Sequence, residues 1–252
     1  MGLDPGQRRI RLIYDGSGYR GKMAMVGPST PLRIAMILNG IFLGIATAWL
    51  LYSDISSAQI TALPKSREAA ERAASVRDKA LQAARSGCVR GDLWAELAFT
   101  YASLEWADVS RIQRGDLAGA KNSATRAIRL MPGNSAVWLL LADLASRFSW
   151  ETPNPVESLK MSYYTGPHEQ DLAPLRLMLS ARLDHAADAE LDRLFRQQLE
   201  SILTSEPALR PAVVAAYKGG TPEARRLVED TATRLDPPFA QTLVGAGRAT
   251  PP

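Results

Sequence analysis

The sequence predicts an all-α protein: one N-terminal transmembrane helix followed by helical hairpins packed as a solenoid or bundle. Three observations carry that prediction. Residues 34–52, IAMILNGIFLGIATAWLLY, hold nineteen residues without a charge, and Asn39 is their only strongly polar member. From residue 65 onward apolar side chains recur at spacings of three and four, punctuated by Gly, Pro and Asn at intervals suited to short helices. No alternating, β-branched segment competes in that part of the chain.

The apolar run comes first because it divides the rest. At ~1.5 Å per residue it makes about 28 Å of helix, close to the ~30 Å hydrocarbon core of a bilayer. Arg33 closes it on one side, while Trp49 and Tyr52 suit the membrane interface on the other. Ser56-Ser57-Ala58 resembles a signal-peptidase site. A retained anchor fits better, since a long basic region precedes the run and the run exceeds the usual ~7–15 apolar residues of a signal peptide. Within it, Gly40 and Gly44, with Ala48 one turn on, place small residues four apart on one face beside Asn39. Such a groove lets a second helix pack closely in lipid, so these four positions are the expected site of helix–helix pairing.

The formal charge of +4 is confined to residues 1–33, where Arg8, Arg9, Arg11, Arg20, Lys22 and Arg33 outnumber Asp4 and Asp15. The remaining chain carries as many basic as acidic residues, so the basic pI of the whole chain gives no argument for nucleic-acid binding. A positive tail favours the cytoplasmic side. In a bacterium the expected topology is therefore an inner-membrane protein with its N-terminus inside and its C-terminal domain in the periplasm. Cys88 is the only cysteine, so no intramolecular disulfide forms, and its RSGCVRGD setting reads as a loop between helices.

In order, the chain reads as a basic cytoplasmic tail (1–33), the membrane helix (34–52), a linker (53–64), a helical domain (65–235) and a flexible C-terminal tail (236–252). Arg9 to Tyr14 has some strand character, but the tail as a whole reads as a disordered segment touching anionic headgroups. In the domain, helices are expected over 66–85 and over 93–108 with Asp92 as cap. Another ends at Met131, and the next, 136–148, follows Asn134 as cap and is almost wholly apolar. Further helices are expected over 156–165, 168–183, 187–203, 207–218 and 222–235, the last opened by Thr221-Pro222.

Two windows echo one another. Trp94-x-x-Leu97-Ala98-x-x-Tyr101 is repeated as Trp138-x-x-Leu141-Ala142-x-x-Ala145, with Ala120, Ala124, Ala127 and then Pro132 between them. The pattern resembles the tetratricopeptide repeat, in which large residues fill the space between paired helices and small ones let them cross closely. The two Trp lie 44 positions apart, against a usual spacing of about 34, which places an insertion of about ten residues around 106–115. Residues 92–167 carry the resemblance, and it implies a divergent solenoid over 65–235. The run Ser158-Leu-Lys-Met-Ser-Tyr-Tyr-Thr-Gly-Pro167 is also similar to membrane-anchored helical proteins of bacterial envelopes, some of which accompany exopolysaccharide assembly genes.

Chemistry is sparse. Of the two histidines, His168 and His185, the second forms His185-x-x-Asp188, a spacing that can hold a metal or make a base–orienter pair, but it sits in an Ala-rich connection and reads as a solvated loop. No nucleophile elbow or phosphate loop is present. No catalytic residue, metal ligand or cofactor is therefore expected. The predicted function is a membrane-anchored scaffold or adaptor that binds a partner protein in an envelope complex, outside the enzyme class. Trp94 and Trp138 are expected to pack between helices. Trp106 and Trp150, near helix ends, together with Tyr163 and Tyr164, are the expected partner-binding aromatics. The alternative is a ligand receptor or enzyme subunit with a pocket near Tyr163, Tyr164 and His168.

Overall fold

A computed structural model describes residues 30–64, 66–102, 114–150, 153–184 and 187–248. Among these residues the regular structure is entirely helical, without a strand. The chain divides into two units, 1–47 and 48–252.

Helix α1 spans Thr30–Ile55, longer at both ends than the uncharged run. In the first unit its large apolar residues stand exposed, Phe42 at 69% and Met36 at 64% among them. The helix is long and apolar enough to cross a membrane. A Cβ built on Gly40 or Gly44 would meet nothing within 4 Å, so the small-residue face is open.

The second unit begins with the last turns of α1 and continues as eleven further helices among the described residues. The segment between α1 and α2 (Arg67–Ser75) was expected to be a plain linker but is anchored. Ser57 Oγ donates to Glu96 Oε1 at 2.6 Å, and the Ala58 amide donates to Glu96 Oε2 at 2.9 Å. The single helix expected over 66–85 is two, α2 and α3 (Arg77–Ser86), broken at Val76. Helix α4 (Gly91–Tyr101) starts one residue before Asp92, which is not its cap; Asp92 lies in the first turn and binds Arg90. The other caps stand where expected: Asn134 Oδ1 accepts from the Val137 amide, and Thr221 Oγ1 from the Ala224 amide.

Helices α4 and α5 (Arg114–Leu130) form one closely packed pair, and α6 (Ser135–Arg147) and α7 (Pro155–Thr165) form another. The echo in sequence is an echo in structure. Trp94 Nε1 donates to the Cys88 carbonyl and Trp138 Nε1 to the Pro132 carbonyl, each six residues back, while Leu97, Ala98, Leu141 and Ala142 are buried. Where α4 and α5 cross, a Cβ on Gly119 would lie 2.5 Å from the Tyr101 hydroxyl, so any larger residue there would have to displace the Tyr101 ring. Each fully buried Leu or Phe here contributes roughly 1.5–3 kcal/mol.

Helices α8 (Ala173–Arg182), α9 (Ala189–Ser205), α10 (Arg210–Gly219) and α11 (Pro222–Leu235) enclose a second core around Leu177, Phe195, Leu199, Ile202 and Val228. The expected flexible C-terminal tail is instead largely a helix, α12 (Pro237–Arg248). Asp236 Oδ1 caps it through the Phe239 amide, and Leu243 is fully buried in the same core.

Candidate functional site

A concavity of the second unit arises where three stretches distant in sequence meet. After α7 the chain turns at Gly166 and makes a short 3-10 turn, Gln170–Leu172, whose leucine is buried. Helix α8 then shows apolar residues on two faces. Leu177 and Leu179 enter the core, while Leu175 and Met178 line an open cleft of about 390 Å³. Ala62, Leu63 and Pro64 form another wall, and Leu209, from the 3-10 turn Pro207–Leu209, closes the far side. Gln170 and Asp171 are its only strongly polar lining. That volume falls in the range of ~300–1,000 Å³ common for binding cavities.

A smaller polar pocket of about 110 Å³ shares Gln170 with the cleft. His168, Glu169, Gln198, Ser201 and Glu206 line it. Glu169 Oε2 accepts from Ser135 Oγ at 2.7 Å, and Glu206 Oε1 accepts from Ser201 Oγ at 3.3 Å. Glu206 Oε2 is buried and has no hydrogen-bond partner among the described residues.

The aromatics singled out in the sequence do not converge here. Tyr163 is 6% exposed, and its hydroxyl lies 3.2 Å from Ser180 Oγ. Burial pushes its pKa up to about 12, against smaller opposing effects of that hydrogen bond and of Arg176, whose guanidinium sits 5.2 Å from the ring centroid. Tyr164 is 47% exposed and donates to Glu190, which raises the phenol and lowers the carboxyl. Glu190 also belongs to a cluster around Lys160, with Glu157 at 2.8 Å and Asp188 at 3.0 Å, whose hydrogen bonds raise the ammonium. Trp150 is half-buried, stacked on Phe148 with Lys121 Nζ 4.9 Å above its ring. Trp106 and His185 lie outside the described residues. Asn39, Gly40, Gly44 and Ala48 are exposed on α1.

The residues that form the cleft were missed. One signal was present: the Pro174–Leu179 run is apolar on more of the helix surface than a single buried stripe requires. Among the described residues no group of three or more His, Cys, Asp or Glu side chains is placed to hold a metal ion. Compared with known proteins, the chain matches no family model, no curated protein and no solved structure.

Proposed function

We propose that the protein is a membrane-anchored adaptor whose helical domain holds a partner protein in the cleft between residues 62–64 and α8. In this reading α1 spans the cytoplasmic membrane with the basic tail inside and the domain in the periplasm. The domain is a divergent tetratricopeptide-like array, and the resemblance implies a setting in envelope polysaccharide assembly. The repeated Trp–carbonyl hydrogen bonds and the paired helices α4/α5 and α6/α7 support the array. The observation that carries the adaptor role is the cleft itself. Leu63, Leu175, Met178 and Leu209 line an open cavity, and buried aromatic and aliphatic anchors on a partner are what such cavities take.

A ligand receptor or enzyme subunit is the alternative, and the polar pocket at His168 favours it. It has less support, because the Tyr163 and Tyr164 hydroxyls are bound to Ser180 and Glu190 and line neither cavity.

The test is a photo-crosslinking amino acid at Met178, and as control at exposed Arg226, in full-length protein in native membranes. The adaptor reading expects one discrete protein adduct from position 178 and none from 226. Recovery of the uncrosslinked monomer alone from position 178 overturns it, as does recovery of the full-length chain in the soluble fraction.

A further inference from the structure

We propose that the turn between α3 and α4 is a second membrane contact, with Val89 seated in the headgroup layer of the bilayer and Arg85 and Arg126 on lipid phosphates. The inference rests on α1 spanning the membrane and is independent of what the cleft holds. Within the second unit, residues 49–53 and 86–90 are joined twice. Trp49 Nε1 donates to the Ser86 carbonyl and Arg90 Nη1 to Ser53 Oγ, each at 2.9 Å. Trp49 belongs to the uncharged run that ends at Tyr52, where a spanning helix passes from hydrocarbon to headgroups. Both ends of the 86–90 segment are therefore fastened to α1 at that depth.

The composition of the turn suits that layer. The Arg90 amide donates to the Gly87 carbonyl at 2.7 Å, which closes a tight turn with Cys88 and Val89 at its tip. Gly87 is buried, whereas Cys88 is exposed and Val89 is 66% exposed, so the tip presents apolar surface away from the domain. Arg126 is held against it: the guanidinium lies 4.3 Å from the Trp94 ring centroid and donates to the Cys88 carbonyl at 3.4 Å. Arg85, one turn earlier, is exposed. Asp54 and Asp92 both pair with Arg90, so the charge left over at this corner is positive. A guanidinium binds phosphate through paired N–H donors, and arginines beside a small apolar anchor match the phosphate level of a bilayer. Because both ends of the turn are already fixed, seating it loses little conformational freedom.

Cys88 is the only cysteine and is exposed, so a nitrobenzoxadiazole fluorophore on its thiol reports the depth of the turn without any substitution. Full-length protein is reconstituted into phosphatidylcholine–phosphatidylglycerol vesicles, with and without a lipid that carries a nitroxide quencher on its headgroup. The control carries Cys88→Ser and Arg226→Cys and is labelled at position 226, which is exposed on α11. Strong quenching is expected at 88 and little at 226. Val89→Asp and Arg85→Glu, both at exposed positions, should each remove most of the quenching at 88 while the thermal midpoint of the domain stays unchanged. Quenching at 88 no stronger than at 226 overturns the proposal, and is also what a protein partner covering Val89 would give. Quenching that neither substitution lowers overturns it as well, since the turn would then be near the lipid without entering it. Sedimentation of the same vesicles after alkaline extraction separates this inference from the reading beneath it. Either adverse result in chain that stays with the vesicles sinks the inference and leaves the spanning helix standing; chain released to the supernatant sinks both.

Discussion

The indole Nε1 of Trp49 donates a hydrogen bond to the backbone carbonyl of Ser86 at 2.9 Å. Trp49 was expected to serve the membrane interface; in the second unit it also satisfies one of the orphan carbonyls at the end of α3. One turn later Ser53 is wholly buried, and its hydroxyl accepts from Arg90 Nη1 at 2.9 Å. Arg90 also reaches Asp54 at 3.3 Å and binds Asp92, whose hydrogen bond raises the guanidinium while its own carboxyl is lowered. The exit from α1 is thus held by side chains of the helical domain rather than left as a free tether, and Glu96 continues the hold at Ser57 and Ala58.

Glu96→Ala should free that segment. The substitution strands the buried Ser57 hydroxyl and the Ala58 amide, at an expected cost of about 1–3 kcal/mol. Limited proteolysis of the full-length protein should show new cuts within 56–64, while helix content by circular dichroism stays near wild type. An unchanged cleavage pattern would mean that the segment is held by Ile60 and Leu63 alone, which pack on the neighbouring apolar clusters.

Arg176 is the largest fully buried side chain among the described residues, and burial lowers its pKa. Its guanidinium donates to Ser162 Oγ at 2.9 Å, to the Ser162 carbonyl at 2.6 Å and to the Gly166 carbonyl at 2.8 Å, so it fastens α8 to the end of α7. Arg176→Ala leaves a cavity and strips Ser162 Oγ of its partner, while the Ser162 and Gly166 carbonyls each keep a backbone donor, and about 2–5 kcal/mol of destabilisation is expected. Arg176→Lys should recover only part of that, since an ammonium lacks the fork that spans three acceptors. The denaturant midpoint at constant slope measures both.

The overall class was legible because helix periodicity, caps and the uncharged run are local signals. Asn134 and Thr221 cap where their side chains announced it. The break at Val76 was not legible, since the Ala-rich pattern runs straight through it. The last helix was announced and overlooked. Asp236 followed by Pro237, with Phe239, Ala240 and Leu243 at helical spacing, is a cap and an apolar stripe. Beyond the apolar excess of the Pro174–Leu179 run, the cleft and its pocket were not legible. Leu63, Met178, Gln198 and Leu209 come from separate elements, and periodicity shows that a face is apolar without showing which neighbour leaves it uncovered.

Tyr163 should make the domain sensitive to alkali. Its pKa is raised from the ordinary 10 to about 12 in the folded protein, chiefly by burial. The unfolded chain therefore gives up that proton first, and stability fully present below about pH 10 is lost as pH rises toward 12. Tyr163→Phe should cost about 1 kcal/mol at neutral pH, the worth of the bond to Ser180. Between pH 10 and 12 it should show a shallower loss, by on the order of 2–3 kcal/mol across the interval. Parallel unfolding curves of the two proteins over that range would disprove the assignment.

The face of α1 that carries Gly40 and Gly44 is expected to be where two membrane helices meet. Apart from the helix's own backbone, nothing among the described residues lies within 4 Å of where a Cβ on either glycine would stand, so the helix leaves room for a side chain at both positions. The change fills the groove that close helix packing in lipid requires, where dispersion and short backbone approach replace the hydrophobic effect as the attractive force. Energy transfer between differently labelled full-length copies in vesicles should fall to that of non-interacting controls, while sedimentation with membranes and the melting of the helical domain stay unchanged. Asn39→Ala should weaken the same signal by a smaller amount, since interhelical hydrogen bonds in bilayers average about 0.6 kcal/mol. Retained transfer in the double-Ile protein would show that the glycine face is not a contact between copies, and would leave a different membrane protein as its only candidate partner.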